Sequence, residues 1–236
     1  MAGKGGARIE KRISSSKVRG LKRKEKVFTI KPMPGPHKRN ESMPLGLILR
    51  DVLNIASNAR EAKKILNAGK VKVDLVERKE IKFPVGLFDV ISVEELKKNY
   101  RVILDGKGRI QLKEIDPKEK NFKFCRITSK RTAKKGLTQY GTNDGRSFIE
   151  KKSEYKKGDS LRVELPKQKI IERIELKKGN TAFIAAGKHV GTTGTIKEII
   201  EGTQRREKII LIELKEKEFR TKAENVFVIG TKKAEI

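Results

Sequence analysis

The chain has 236 residues, with 58 Lys and Arg against 30 Asp and Glu, for a formal charge of +28 at pH 7. Self-repulsion on that scale is tolerated where a polyanion neutralises it, so nucleic acid is the first partner class indicated. Only 36% of residues are hydrophobic, with no Trp, which argues against one large core and for several small domains.

Residues 1–40 are the most basic part, with 13 basic residues against two acidic ones. Gly3, Gly5 and Gly6, the serines at 14, 15 and 16, and Lys22, Arg23 and Lys24 show no apolar period that could anchor a core. An extended arm that orders on RNA is expected, with a solvated tail or a localisation signal as the alternative. No apolar run approaches the ~18 residues of a membrane span, and the first residues lack a signal-peptide stretch, so a soluble intracellular protein is expected. Pro32, Pro34 and Pro36 exclude helix and mark a boundary.

From 41 to 98 the charge is nearly balanced, 11 basic residues against nine acidic. Leu45, Ile48, Leu49 and Val52 recur at helical spacing, reaching Ile55. Asn58 with Glu61 forms a capping-box-like start to a second helix, Ala62, Ile65 and Leu66 form its apolar stripe, and Gly69 closes it. Arg60, Lys63 and Lys64 fall on the opposite face, open either to phosphate or simply to solvent. Lys70 to Leu75 alternate as a strand, followed by an extended stretch through Ile81–Phe83, Pro84, Val85 and Gly86. Glu94 and Glu95 read as solvated helix surface.

The segments PLGLILRDVLNIASNAREAKKILNAGKVKVD and KFPVGLFDVIS together resemble the alpha-L RNA-binding module, in which the second helix and the following loop and strand grip structured RNA. By position, that resemblance implies RNA contacts for Arg50, Arg60, Lys63, Lys64, Lys70 and Lys72.

Residues 99–175 alternate in short runs (YRVIL, RIQLKEI, NFKFCRI, SFIE, SLRVEL, IIERIEL) with turns at Gly106, Gly136, Gly145 and Gly158, as expected of a small, mainly β domain. Asp105–Gly106 is the turn of a hairpin. The lone Cys125 excludes an intrachain disulfide and a multi-cysteine zinc site, and suits a reducing compartment. The segment from 130 to 145 reads as a basic loop gathering Lys130, Arg131, Lys134 and Lys135 with Tyr140. It is compatible with phosphate contact plus base stacking, or with a plain solvated hairpin.

In the run KKGNTAFIAAGKHVGTTGTIKEI, four glycines at 179, 187, 191 and 194 separate apolar strand residues. Two short strands of a small barrel are expected, joined by a tip carrying Lys188 and His189. The spacing resembles the KOW motif, which implies contacts for Gly187, Lys188, His189 and Gly191. A phosphate-binding nucleotide loop is excluded, because Ala182 stands where its first Gly is required and His189 where Ser or Thr is required. His37 and His189 lack a flanking ligand pattern, so neither metal nor acid–base chemistry is expected.

Taken in order, the PGPH boundary, the alpha-L-like module, KFPVG, KKGDSLRVEL, the KOW-like loop and NVFVIG resemble the fourth small-subunit ribosomal protein of archaea and eukaryotes. The resemblance spans 32–230, with a short C-terminus of archaeal kind. The family's usual His-Leu-Lys-Arg string and nearby Trp are replaced here by KVRGLKRKEK, so contacts of Lys22, Arg23 and Lys24 rest on charge alone.

The expected fold is α+β and mainly β, in several domains. These are a basic extension over 1–40, the alpha-L module over 41–98, a central β domain over 99–175, and an SH3-like barrel with the KOW motif over 176–236. The resemblance implies a non-enzymatic constituent of the small subunit, located in the cytoplasm within the ribosome. Its expected partners are ribosomal RNA and neighbouring ribosomal proteins, with no membrane, small-molecule substrate, cofactor or metal. A KOW-bearing transcription or RNA-chaperone factor is the rival reading. An RNA-modifying enzyme would need a catalytic constellation that the sequence lacks.

Overall fold

The computed structural model describes residues 10–151, 154–203, 206–214 and 217–231. These fall into two compact units, one running to Ile103 and including Arg109–Asp116, the other comprising Leu104–Gly108 and Pro117 onward.

The first unit opens with a two-stranded antiparallel ladder, β1 (Glu10–Lys11) against β2 (Phe28–Thr29), with short 3-10 turns at Arg12–Ser14 and Lys17–Arg19. Over residues 10–40 this differs from the expected extended arm that orders on RNA, while Gly3, Gly5 and Gly6 lie outside the described residues. What anchors the segment is charge. Glu10 and Arg19 are buried at 3% and 2% exposure. The Arg19 guanidinium donates to Glu10 Oε2 at 2.9 Å, to the Ser42 carbonyl at 3.1 Å and to the Arg39 carbonyl at 3.1 Å. Arg39 meets the second oxygen of the Glu10 carboxylate at 3.0 Å. A buried guanidinium with an acceptor at each of its three nitrogens can hold a segment that has no apolar period. The three serines add to this: Ser14 and Ser15 close the first turn by donating to the carbonyls of Lys11 and Arg12, and Ser16 donates across to the Asn40 carbonyl.

β3 (Met43–Pro44) leads into α1 (Leu45–Leu47), which widens into a π-helical turn over Ile48–Val52, closed by Leu53 N–H on the Ile48 carbonyl at 2.9 Å. Leu45, Ile48 and Leu49 are fully buried, as their spacing implies, while Val52 stays 36% exposed. α2 (Ala59–Asn67) follows. Next come β4 (Val71–Val73), β5 (Val76–Glu77), β6 (Pro84–Val85), β7 (Val90–Val93), β8 (Lys98–Leu104) and β9 (Ile110–Ile115). β3 pairs with β6, and the others form a sheet in the order β5-β4-β7-β8-β9. Ala62 and Leu66 of α2 share the buried set with Val71, Val73, Val90, Ile91 and Val93. Glu94 and Glu95 lie on the turn between β7 and β8, not on a helix, because Lys97 adopts φ +53° and the chain reverses there.

The second unit contains two five-stranded sheets. The first is built from β10 (Phe122–Thr132), β11 (Thr138–Thr142), β12 (Ser147–Glu150), β13 (Ser160–Glu164) and β14 (Ile170–Ile174), in the order β12-β11-β10-β13-β14. Its core is Cys125, Ile127, Tyr140, Phe148, Leu161 and Val163. The second sheet comprises β15 (Thr181–Ile184), β16 (Thr193–Ile200), β17 (Ile209–Leu214), β18 (Lys217–Lys222) and β19 (Val226–Gly230), in the order β18-β17-β16-β15-β19. Val228 N–H donates to Ser160 Oγ at 3.1 Å, and Arg126 lies 4.7 Å from the Phe227 ring, so the two sheets meet through β10, β13 and β19.

Candidate nucleic-acid interface

The Asn58 side chain accepts from Glu61 N–H at 2.9 Å and starts α2. The reciprocal half of the cap slips by one residue: Glu61 Oε2 accepts from the backbone and hydroxyl of Ser57 at 2.8 and 2.6 Å. Those hydrogen bonds, with the Ser57 hydroxyl foremost, hold the Glu61 carboxyl below its usual pKa. With Ala62 and Leu66 sealed inward, Arg60, Lys63 and Lys64 stand exposed on the outer face. Spacings of three and four residues place them about 5–6 Å apart at Cβ. None of the three is in a salt bridge among the described residues. They therefore add little to the fold and are free to meet phosphate.

Lys70 and Lys72 are paired across the neighbouring turn, Lys70 with Glu95 at 2.6 Å and Lys72 with Glu94 at 2.7 Å. The hydrogen bond that Lys72 donates to Glu94 raises the Lys72 pKa. Exposed pairs of this kind contribute little because solvent and salt screen them, so the carboxylates are open to competition from a phosphate.

Arg50 is placed differently. Its side chain is 13% exposed and clamps the adjacent Asp51 through Nε at 2.6 Å and Nη2 at 2.9 Å. Burial pushes the Asp51 carboxyl up, but the hydrogen bond from Arg50 and the charges of Arg50, Arg12 and Lys26 outweigh it and hold it below its ordinary range. Arg12 reaches Asp51 at 3.8 Å and Glu25 at 3.2 Å, which ties the arm to the helical pair. Lys26, Arg50, Asn54, Ser57 and Glu61 line a cavity of about 400 Å³. Lys26 thus joins the candidate surface without having been singled out in the sequence. Its signal was the continuation of the run Lys22, Arg23, Lys24, all three of which are exposed. His37 is buried against Asp89 at 2.9 Å, and Asp89 also accepts from Gly86 N–H, a structural pairing under the Pro-rich boundary.

In the central sheet the expected loop over 130–145 is mostly strand. β10 continues through Lys130 and Arg131 to Thr132, and β11 begins at Thr138. Tyr140 is fully buried, with its ring 5.1 Å from that of Tyr155, and so offers no face to a base. Its strand position puts it on the core side with Phe148 opposite, which the basic neighbours concealed. Lys130 Nζ donates to the Tyr155 carbonyl at 2.9 Å. Lys130, Arg131 and Lys134 are exposed, and Lys135 lies on the short turn at Lys134–Gly136, its side chain outside the described residues.

The glycine-marked tip joins β15 to β16, paired Thr181↔Thr195 through Phe183↔Thr193. Of its four candidate residues, Lys188 alone is both charged and exposed. The His189 ring packs against Phe219 at 4.3 Å. Gly187 has φ +103° and a Cβ there would meet only the Asn225 side chain, at an ordinary 3.7 Å, whereas Gly191 has φ +78° and a Cβ there would lie 2.4 Å from the Asp105 carbonyl oxygen. Gly191 is thus a packing position. The turn it packs against carries exposed Lys107, a cation remote in sequence and missed for that reason.

Comparison with known proteins places this arrangement. Residues 96–170 match the ribosomal family S4e. The chain is 42% identical over 233 residues to the small ribosomal subunit protein eS4 of Methanosphaera stadtmanae, covering 99% of this chain and 96% of that one. It is 43% identical over 239 residues to the protein of the same name from Methanococcus vannielii, covering 98% and 97%. The crystal structure of the 30S ribosomal protein S4e from Thermoplasma acidophilum superposes with a TM-score of 0.71 at 38% identity, over 81% of this chain and 96% of that one.

Proposed function

The chain belongs to the ribosomal family S4e, and on that premise we propose that it is a structural constituent of the small ribosomal subunit that binds ribosomal RNA and catalyses no reaction. The observation that carries this reading is the match over nearly the whole length to relatives named for that subunit. In this reading residues 41–98 act as an alpha-L module and 176–236 as a KOW-bearing barrel, flanking the central β domain at 99–175 and preceded by the basic extension over 1–40.

Arg60, Lys63 and Lys64 lead the interface, because they are exposed and outside any salt bridge among the described residues. Lys70 and Lys72 follow when phosphate replaces Glu95 and Glu94. Lys22, Arg23, Lys24 and Lys26 extend it along the arm. Lys130, Arg131, Lys134, Lys135 and Lys188 supply separate phosphate contacts in the second unit. Arg50 acts indirectly, by fixing Asp51 and with it Arg12. Neutralising about ten phosphates releases their counterions, giving a slope of log K against log salt of roughly −7 to −9.

Sedimentation tests the assignment. A structural constituent stays with small subunits in stoichiometric amount through a high-salt wash. Release of the protein into the free pool would instead favour a loosely associated transcription or chaperone factor.

A further inference from the structure

The ladder that opens the first unit and the turn after its first strand leave three large apolar side chains exposed. Ile13 is 66% exposed, Val27 68% and Phe28 54%. Lys11 stands directly opposite Phe28 in the ladder, and Arg12 N–H donates to the Val27 carbonyl at 2.9 Å just beyond it, so the pairing puts Lys11 and Phe28 side by side on one face. Phe28 is the aromatic among them, and with about half of its surface in solvent on a ladder face it offers a flat apolar surface to a partner.

The chemistry of the surroundings identifies the occupant. Between residues 11 and 31 there are nine Lys or Arg and a single acid, Glu25. Arg12 and Arg19 are buried, while Lys11, Lys17, Lys22, Arg23, Lys24 and Lys26 are exposed. Protein interfaces are depleted in Lys, whereas single-stranded nucleic acid is held by an aromatic platform for a base with cations along the backbone. Cross-strand partners share a face of a ladder, so Lys11 stands where a phosphate flanking a base on Phe28 would lie.

We infer that Phe28 is a stacking platform for an unpaired base of RNA, with Lys11 and the 22–26 turn holding the adjoining phosphates. The inference rests on the reading of the chain as an RNA-binding protein, and adds to it a preference for a single-stranded segment at this one place. The face of α2 has no aromatic and meets backbone only.

The chain has no Trp, so Phe28→Trp introduces a lone indole reporter. Titrating that variant with a short oligouridylate should quench its emission, and a duplex RNA of equal length should bind by charge without quenching. In the otherwise native chain, Phe28→Ala should weaken oligouridylate binding roughly tenfold, as expected for loss of one base–aromatic stack. Its melting temperature should change little, because Phe28 is already 54% exposed. Equal oligouridylate affinity for Phe28→Ala and the native chain, or binding without any change in indole emission, would overturn the inference. So would a Phe28→Ala protein that keeps its affinity for RNA but loses a neighbouring ribosomal protein, since the patch would then be a protein contact. The broader function is separable: duplex binding that still depends on Arg60, Lys63 and Lys64 leaves it standing whatever Phe28 does.

Discussion

Arg19 in the arm and Arg60 on α2 carry the same charge and do opposite work. Arg19 is sunk to 2% exposure, with its donors spent on Glu10 and on the carbonyls of Ser42 and Arg39, so its charge holds the chain to itself. Arg60 is exposed, outside any salt bridge among the described residues, and flanked one turn on by Lys63 and Lys64. The arm, the richest in net charge, therefore commits part of that charge to its own folding. The helix of a nearly neutral segment keeps its cations available. Availability, and not the sum of charges, distinguishes a recognition face from a basic stretch.

The sharpest way to break this contrast is to unpair the buried side. Glu10→Ala leaves the Arg19 guanidinium without its carboxylate in a water-poor site, and removing one partner of such a pair costs about 3–5 kcal/mol. Thermal or denaturant unfolding should show a loss of that order. Protease cleavage near Lys22–Lys26 should accelerate as the arm comes away from Ser42 and Arg39. A variant as stable as the native chain would mean the pair contributes nothing to holding the arm.

The same distinction between holding and meeting recurs at the tip of the second sheet. Gly191→Ala forces a left-handed backbone on a residue with a side chain, at about 1–3 kcal/mol, and adds the contact of its Cβ with the Asp105 carbonyl. Gly187→Ala meets the backbone cost without that contact, so Gly191→Ala should melt at the lower temperature. Equal melting would remove the assignment of Gly191 to packing.

Much of the helical pair was legible in the sequence because its signals are local. Ala62 and Leu66 are buried at the expected period, Asn58 caps, and the glycines before and after Lys188 delimit two strands that pair as anticipated. What escaped is non-local. Nothing in the run from Glu10 to Arg19 announces that one acid will satisfy two arginines, one of them twenty positions further on. Tyr140 read as part of a basic tip because Lys134 and Lys135 precede it, while its burial depends on which side of β11 faces Phe148 and Tyr155. Glu94 and Glu95 read as helical, although each faces a lysine across the sheet and lies on a turn. Within the candidate site, Arg60, Lys63 and Lys64 were legible from helical geometry. The engagement of Arg50 with Asp51 was not, since adjacent opposite charges give no hint of a bidentate clamp.

The most direct test uses the helix itself. Binding of the native chain and of the Arg60→Ala, Lys63→Ala, Lys64→Ala triple variant to small-subunit ribosomal RNA is measured across a salt series, with melting temperatures as a control on folding. The account predicts a slope near −7 to −9 for the native chain, shallower by about two to three for the variant, at unchanged melting temperature. A variant with native affinity and native slope would contradict it and move the interface away from α2.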